Sequence, residues 1–274
     1  MKTSTKLKNS HWSIALAVVI LFSACTKNDE TIDKPAPQLP PETSFIIDFD
    51  NFKDADTTAY KNSLSYQNWG WAATNVAVWN AALTLTLVVP VAAFYESFHH
   101  TGVYDPDADN WIWSYNFYAG GALHLAQLKA SLIESGVKWE MYITRNNAYS
   151  DFLWYTGVSA LDNSNGYWLL NNTPQDPTSF IAIDWSKDVV NESAQIKYTN
   201  IIPDHQDNGA FILYGVENNN ELDAFYDIYS VVNDNLMHIR WSRELAFGKV
   251  MDKFHFGDPD WHCWDEILQD VVCE

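Results

Sequence analysis

The chain is 274 residues long, 47% apolar and 19% charged, enough to bury a sizeable core and too apolar for a disordered protein. Ten Pro and 11 Gly carry no collagen or low-complexity signature, and no repeat of about 20–50 residues is visible, which argues against solenoids and propellers. With 16 Lys and Arg against 35 Asp and Glu the formal net charge is −19, the wrong sign for binding a phosphate backbone, so no nucleic-acid partner is expected.

At the start of the chain Lys2, Lys6 and Lys8 precede an uncharged run from Ser13 to Phe22, and Ser23-Ala24 places two small residues before Cys25. That order predicts a secretory signal peptide. The apolar run is shorter than the roughly 20 residues a permanent membrane-crossing helix needs, so cleavage is the expectation. The small pair followed by Cys resembles the bacterial lipobox, although Phe22 stands where such boxes usually carry Leu. The resemblance implies cutting before Cys25, diacylation of its sulfur and acylation of the new amine; the alternative is an ordinary secretory signal with an incidental Cys. Removing residues 1–24 removes three Lys and no acid, taking the net charge from −19 to −22. Such a surface repels anionic headgroups, so attachment to the membrane is expected through the acyl chains on Cys25 rather than through a basic patch.

Thr26 to Ser44 carries Pro35, Pro37, Pro40 and Pro41 and almost nothing apolar, and is read with Cys25 as a solvated tether, 25–44. Pro-rich chain extends about 3 Å per residue, which would hold a domain several nanometres from the bilayer. Lys27 followed by Asp29-Glu30 resembles the signal that sends some Bacteroidetes lipoproteins to the cell surface, with Asn28 interrupting it. The outer membrane is therefore the expected location, with its periplasmic face and the cell surface both open. One β-rich domain is expected over 45–274.

Asn62 to Tyr95 contains no charged residue. Length alone would permit a transmembrane helix. Asn80, Thr84, Thr86 and Pro90 interrupt it, and no basic flank follows. We read a buried, Pro90-kinked helix with Trp79, Leu83, Leu87, Val91, Phe94 and Phe98 near helical spacing, while Thr84-Leu85-Thr86-Leu87 also fits a strand.

After His100 the pattern changes to period two. Trp111, Trp113, Tyr115 and Phe117 alternate with Ile112, Ser114 and Asn116, which puts an aromatic stripe on one face of a strand. Residues 137–144, 195–199 and 237–241 repeat the alternation. Gly120-Gly121, Glu134-Ser135-Gly136, 162–166, Asp207-Asn208-Gly209, 218–220 and 233–235 supply turn chemistry between the runs. About ten antiparallel strands in a meander are expected between 111 and 251, with no helical crossover. A curved sheet or part-closed barrel whose concave face wraps the apolar helix is the economical fold.

That architecture resembles the half-barrel of lipoprotein-carrier proteins. The runs 72–94, 111–117, 139–144, 152–157, 197–204 and 255–266 resemble a family of uncharacterised Bacteroidetes outer-membrane lipoproteins over most of the chain. The resemblance implies a location and a domain extent, and no activity.

With Cys25 assigned to lipid, Cys263 and Cys273 remain, and an even remainder in an exported chain predicts a disulfide. A straight helix of that separation would rise about 15 Å, against the roughly 7 Å a bridge tolerates, so the segment must turn back on itself. The other clusters are weaker. Asp105, Asp107 and Asp109 have the spacing of a calcium loop, but Asn110 and Asn116 stand where Gly and Glu are needed, and a solvated acidic turn is the preferred reading. His99-His100 is read as a helix end rather than a metal pair. Asp258, Asp260, His262, Asp265 and Glu266 beside Trp261 and Trp264 are read as a lock on the tail, with acid–base catalysis as the alternative. No metal ligand, cofactor or catalytic residue is assigned.

Three functions follow as expectations. The first is a non-enzymatic lipid-anchored protein holding an apolar ligand or acyl chain between helix and sheet, with Trp79, Leu83, Leu87, Phe94, Trp111, Trp113, Tyr115 and Phe117 as the candidate lining. The second, motivated by 41 aromatic residues (13 Trp, 14 Tyr, 14 Phe), is a surface glycan-binding or envelope interaction module. The third is a hydrolase using the acids of 258–266.

Overall fold

The period-two runs become strands because alternating apolar residues can bury one face of a pleated sheet while their polar neighbours meet water. In the computed structural model, which describes residues 34–47, 49, 52, 66–218 and 221–273, fourteen strands lie in one antiparallel sheet in strict sequence order. They are β1 (Val103–Asp105), β2 (Asn110–Ala119), β3 (Ala122–Ile133), β4 (Gly136–Arg145), β5 (Tyr149–Ser159), β6 (Asn165–Thr173) and β7 (Asp176–Asp188). β8 (Ser193–Asn200), β9 (Phe211–Val216), β10 (Ala224–Ser230), β11 (Asn235–Trp241), β12 (Gly248–Met251), β13 (His262–Trp264) and β14 (Asp270–Val271) complete it. The fold is mainly β, as expected; β2 to β12 place eleven strands over 110–251, where about ten were read from sequence, and β1, β13 and β14 add three outside that range that are too short to show a period.

The sheet does not close on itself, and β1 and β14 are its free edges. One long helix, α1 (Gln67–Ser97), runs without interruption through Pro90 and excludes the strand alternative for Thr84–Leu87. A short helix, α2 (Lys253–Phe256), sits between β12 and β13. At its start α1 is held by Asn68 Nδ2 donating to the Cys263 carbonyl at 2.8 Å, and by the Gln67 and Asn68 amides donating to the Asp270 carboxylate. Near its end the Tyr115 hydroxyl of β2 donates to the Ala93 carbonyl at 2.5 Å. Asn68 and Ala93 are about 38 Å apart along a helix axis. A flat sheet would separate β2 from β13 by about 53 Å. The sheet is therefore curved, and α1 spans the gap between its two ends.

What fills the concave face differs from the expectation. Along β2, Trp111, Trp113, Tyr115 and Phe117 are buried and Ser114, Asn116 and Tyr118 exposed, so the aromatic stripe does face inward. The chain segment before α1, rather than the helix alone, occupies the space they enclose. Phe45 is fully buried against Phe94 of α1, Tyr155 of β5 and Trp168 of β6, with ring centroids 5.0, 4.9 and 5.6 Å away. Phe49 stacks on Tyr226 of β10, and Phe52 meets Trp241 of β11 edge-on.

This segment has almost no secondary structure, so its carbonyls need other partners. The sheet supplies them: Trp111 Nε1 donates to the Lys34 carbonyl, Asn163 Nδ2 to Leu39, Trp168 Nε1 to Ser44 and the Tyr198 hydroxyl to Phe45. Residues 34–44, assigned from sequence to a free tether, are thus bound to the domain, with Pro40 and Ser44 buried. Pro-rich composition signals extended backbone, and extended backbone can lie on a sheet as well as in water.

α1 is also less buried than expected. Trp69, Ala72, Val76, Leu83, Leu87, Pro90 and Phe94 form one inward stripe, while Val78, Leu85 and Val88 are exposed. A helix spanning the opening of an unclosed barrel has one face toward the core and one away from it.

Candidate functional site

Packing α1 across the concave face leaves a cleft of about 270 Å³ between the helix and Ile46, Ile47 and Phe49. Helical spacing brings Leu83, Leu87 and Val91 to its wall, Ile46, Ile47 and Phe49 face them, and Tyr198 of β8 forms the floor. The Tyr198 hydroxyl is already committed to the Phe45 carbonyl at 2.6 Å, and burial pushes its ionisation far above the usual phenol range. It therefore presents a neutral ring rather than a polar group. Asn80 and Thr84 contribute the polar atoms, and the Thr84 hydroxyl donates to Asn80 Oδ1 at 3.1 Å. A smaller space of about 140 Å³, also lined by Phe49 and Asn80, continues toward Trp69 and Val76. Nothing in these walls is a nucleophile or a general base. The chemistry available is exclusion of water from an apolar chain, with a few neutral hydrogen-bonding groups at one end.

Of the eight residues expected to line a ligand site, Leu83 and Leu87 reach the 270 Å³ cleft. Phe94 lies against Phe45, and Trp111, Trp113, Tyr115 and Phe117 pack within the core on the inner face of β2. Trp79 is half-buried and packs against the same core. Sequence reasoning missed Ile46, Ile47, Phe49 and Tyr198. The signal was present as the alternation Phe45-Ile46-Ile47-Asp48-Phe49 directly after the Pro-rich stretch, where a core-entering segment begins.

A second apolar cleft of about 240 Å³ lies on the other side of this segment, between Ile46 and Trp185, Ile196 and Tyr214, with Lys187 and Arg243 also on its wall. Trp185 Nε1 is buried with no hydrogen-bond partner among the described residues.

The opposite face of the sheet carries a polar groove of about 740 Å³ across β9 to β12. Asp227 Oδ1 accepts from Arg240 Nη1 and lies 2.7 Å from His238 Nδ1. Burial alone would raise the Asp227 pKa, but these two partners outweigh it and hold the carboxyl below its usual range. The two aromatic rings of the groove are engaged by cations: Arg240 lies 4.8 Å from the Phe225 centroid and Lys249 4.7 Å from that of Trp261.

The remaining clusters form local structure. Asp105 Oδ1 accepts the Asp107 and Ala108 amides, and Asp109 binds the Tyr104 hydroxyl and Lys34 Nζ, contacts that lower its pKa. His100 Nε2 lies 3.0 Å from Glu96 at the end of α1. In 258–266, Asp258 Oδ1 accepts the Asp260 amide and contacts His262 Nε2 at 3.1 Å, while Asp265 Oδ1 accepts the Ile267 and Gln269 amides. His262 stacks on Phe256 at 3.7 Å.

Cys263 and Cys273 are joined by a disulfide with Cα atoms 5.2 Å apart, and the intervening chain does turn back, as the β13–β14 hairpin. A residue not singled out in the sequence holds this end together. Buried Asp252 accepts the Phe254 and His255 amides, capping α2, and also Asn235 Nδ2 and Trp71 Nε1, the latter tying α2 to α1. Cys25 lies outside the described residues.

Comparison with protein-family models, with curated proteins and with solved structures finds no match to this chain.

Proposed function

We propose that this chain is a non-enzymatic envelope protein, held at the outer membrane by acyl groups on Cys25, that takes an apolar ligand such as an acyl chain into the cleft between α1 and Ile46, Ile47 and Phe49. The observation that carries this reading is a mainly apolar cleft of about 270 Å³ walled by Ile46, Ile47, Phe49, Leu83, Leu87 and Val91. Its size falls just below the ~300–1,000 Å³ range of ligand sites, which suits one chain rather than a whole lipid. The inward orientation of Trp111, Trp113, Tyr115 and Phe117 supports the same reading; no Trp among the described residues is exposed, while Tyr118 and Tyr167 are the exposed rings of β2 and β6.

Titration of delipidated protein with a fluorescent fatty acid tests it. The expected result is saturable binding that Val91→Trp, which fills the cleft from a half-buried position, weakens at least tenfold while the circular dichroism spectrum is unchanged. Absence of binding, or equal binding by the variant, removes the reading. A glycan-binding module is the second reading, favoured by the polar groove containing Phe225 and Trp261. Trp261→Ala would then abolish retention on an immobilised polysaccharide. A hydrolase using 258–266 has less support, because Asp258 and Asp265 serve backbone turns.

A further inference from the structure

We infer that the outward face of α1 is a membrane-docking surface that lies in the interface of an uncharged, zwitterionic lipid bilayer. This goes beyond the cleft and holds whether or not the cleft takes a ligand.

The face is apolar and packs against no element among the described residues. Val78 is 64% exposed and Leu85 79%, with Ala81 and Ala82 exposed between them, and only 28% of the helix's most apolar 18-residue stretch is buried. A contiguous strip of this kind marks an interaction surface rather than ordinary exposure. The helix cannot cross a bilayer, because its other face is sealed against the sheet from Trp69 to Phe94. It can lie flat.

Three observations choose lipid as the occupant. The first concerns hydrogen bonds. Thr74 and Thr86, on the exposed side, turn their hydroxyls back to the Gly70 and Ala82 carbonyls of their own helix, and Thr84 donates to Asn80. The Thr74 and Thr86 hydroxyls therefore need no acceptor from their surroundings, which suits contact with an apolar medium.

The second is charge: α1 has no charged residue before Glu96, in a chain of net charge −19. An anionic bilayer would repel the whole chain, whereas a zwitterionic surface needs no ion pairing.

The third is where the chain leading to Cys25 leaves the domain. The Lys34 carbonyl is bound by Trp111 of β2, and the end of α1 rests on the same strand through Tyr115. Because residues 34–44 are packed, eight residues lie between Cys25 and Lys34, a reach of about 30 Å, roughly half that of a tether running to Ser44. A chain inserted through its apolar run 13–22, or through Cys25, holds α1 near the same bilayer. An anchor at that distance raises the local concentration of the apolar helix face at the bilayer surface, so the face needs little affinity of its own to dock.

The test uses the full chain carrying Cys25→Ser, in which the bridged Cys263 and Cys273 leave one reactive thiol when Val78→Cys, Leu85→Cys or Val190→Cys is added. Each is labelled with a fluorophore and mixed with phosphatidylcholine vesicles containing brominated lipid. Quenching at 78 and 85 is expected to exceed that at 190, which is 90% exposed beyond β7, by at least fivefold. Adding Val78→Lys to the label at 85 should remove that excess while leaving fatty-acid affinity intact, because neither residue lines the cleft. Equal quenching at all three positions, or no association with vesicles, overturns the inference. So does a label at 85 shielded from both brominated lipid and aqueous iodide in a sedimenting dimer, which assigns the face to a second copy.

Discussion

Phe45→Ala measures whether the segment before α1 belongs to the core. Phe45 is 0% exposed and is enclosed by Phe94, Tyr155 and Trp168, all buried themselves. Trp168 is further pinned by its bond to the Ser44 carbonyl, so the surrounding rings have little freedom to close over a void. Truncating a buried Phe costs about 3–5 kcal/mol, and poor collapse places this site in the upper part of that range. At roughly 2–4 °C per kcal/mol for a domain of this size, the midpoint of thermal unfolding should fall by about 6–20 °C. The Tyr198 and Trp168 bonds go to main-chain carbonyls and survive the substitution, so the loss reports packing rather than hydrogen bonding. Urea unfolding followed by tryptophan fluorescence supplies the free energy, with half-buried Ile46→Ala as a control expected to cost clearly less. A loss below about 1 kcal/mol for Phe45→Ala would refute the reasoning, since a tether in solvent has no cavity to leave.

Reduction of Cys263–Cys273 opens a loop of sequence separation 10, and the chain-entropy estimate is about 2–3 kcal/mol; a calorimetric midpoint unchanged by reductant would contradict it. Gly136 has φ 141° at the start of β4, and a Cβ there would overlap the Ser159 carbonyl oxygen of β5. Gly136→Ala should therefore destabilise by at least about 2 kcal/mol in urea. Asp227 has a folded-state pKa below its unfolded value, so it contributes stability above the unfolded value of about 3.9 that is lost as pH falls through the folded one. Asp227→Asn should flatten that part of the acid-unfolding curve while lowering stability at pH 7, and an unchanged acid limb would count against the pairing with Arg240 and His238.

The strands were readable because their information is local. Alternation in 111–117, 137–144 and 237–241 states which side chains face inward whatever the neighbouring strand is, and the Gly- and Asn-containing turns state where each strand reverses. The tail bridge was readable for a similar reason: with Cys25 read as the lipid site, the other two cysteines admit one pairing, and their short separation demands a reversal.

Residues 45–52 and α1 depended on tertiary structure. Phe45, Ile47 and Phe49 alternate as a strand would, yet the sheet takes them as core-filling side chains, with the Tyr198 hydroxyl of β8 bound to the Phe45 carbonyl and Trp168 of β6 to the Ser44 carbonyl just before it. In α1 every side of the helix is uncharged from Gln67 to Tyr95, so no polar face announces which side meets the core. The curvature of a sheet that stops short of closure decides it. That curvature brings β2 and β13 to the two ends of one helix, turns Leu83 and Leu87 inward to the cleft, and leaves Val78 and Leu85 outside.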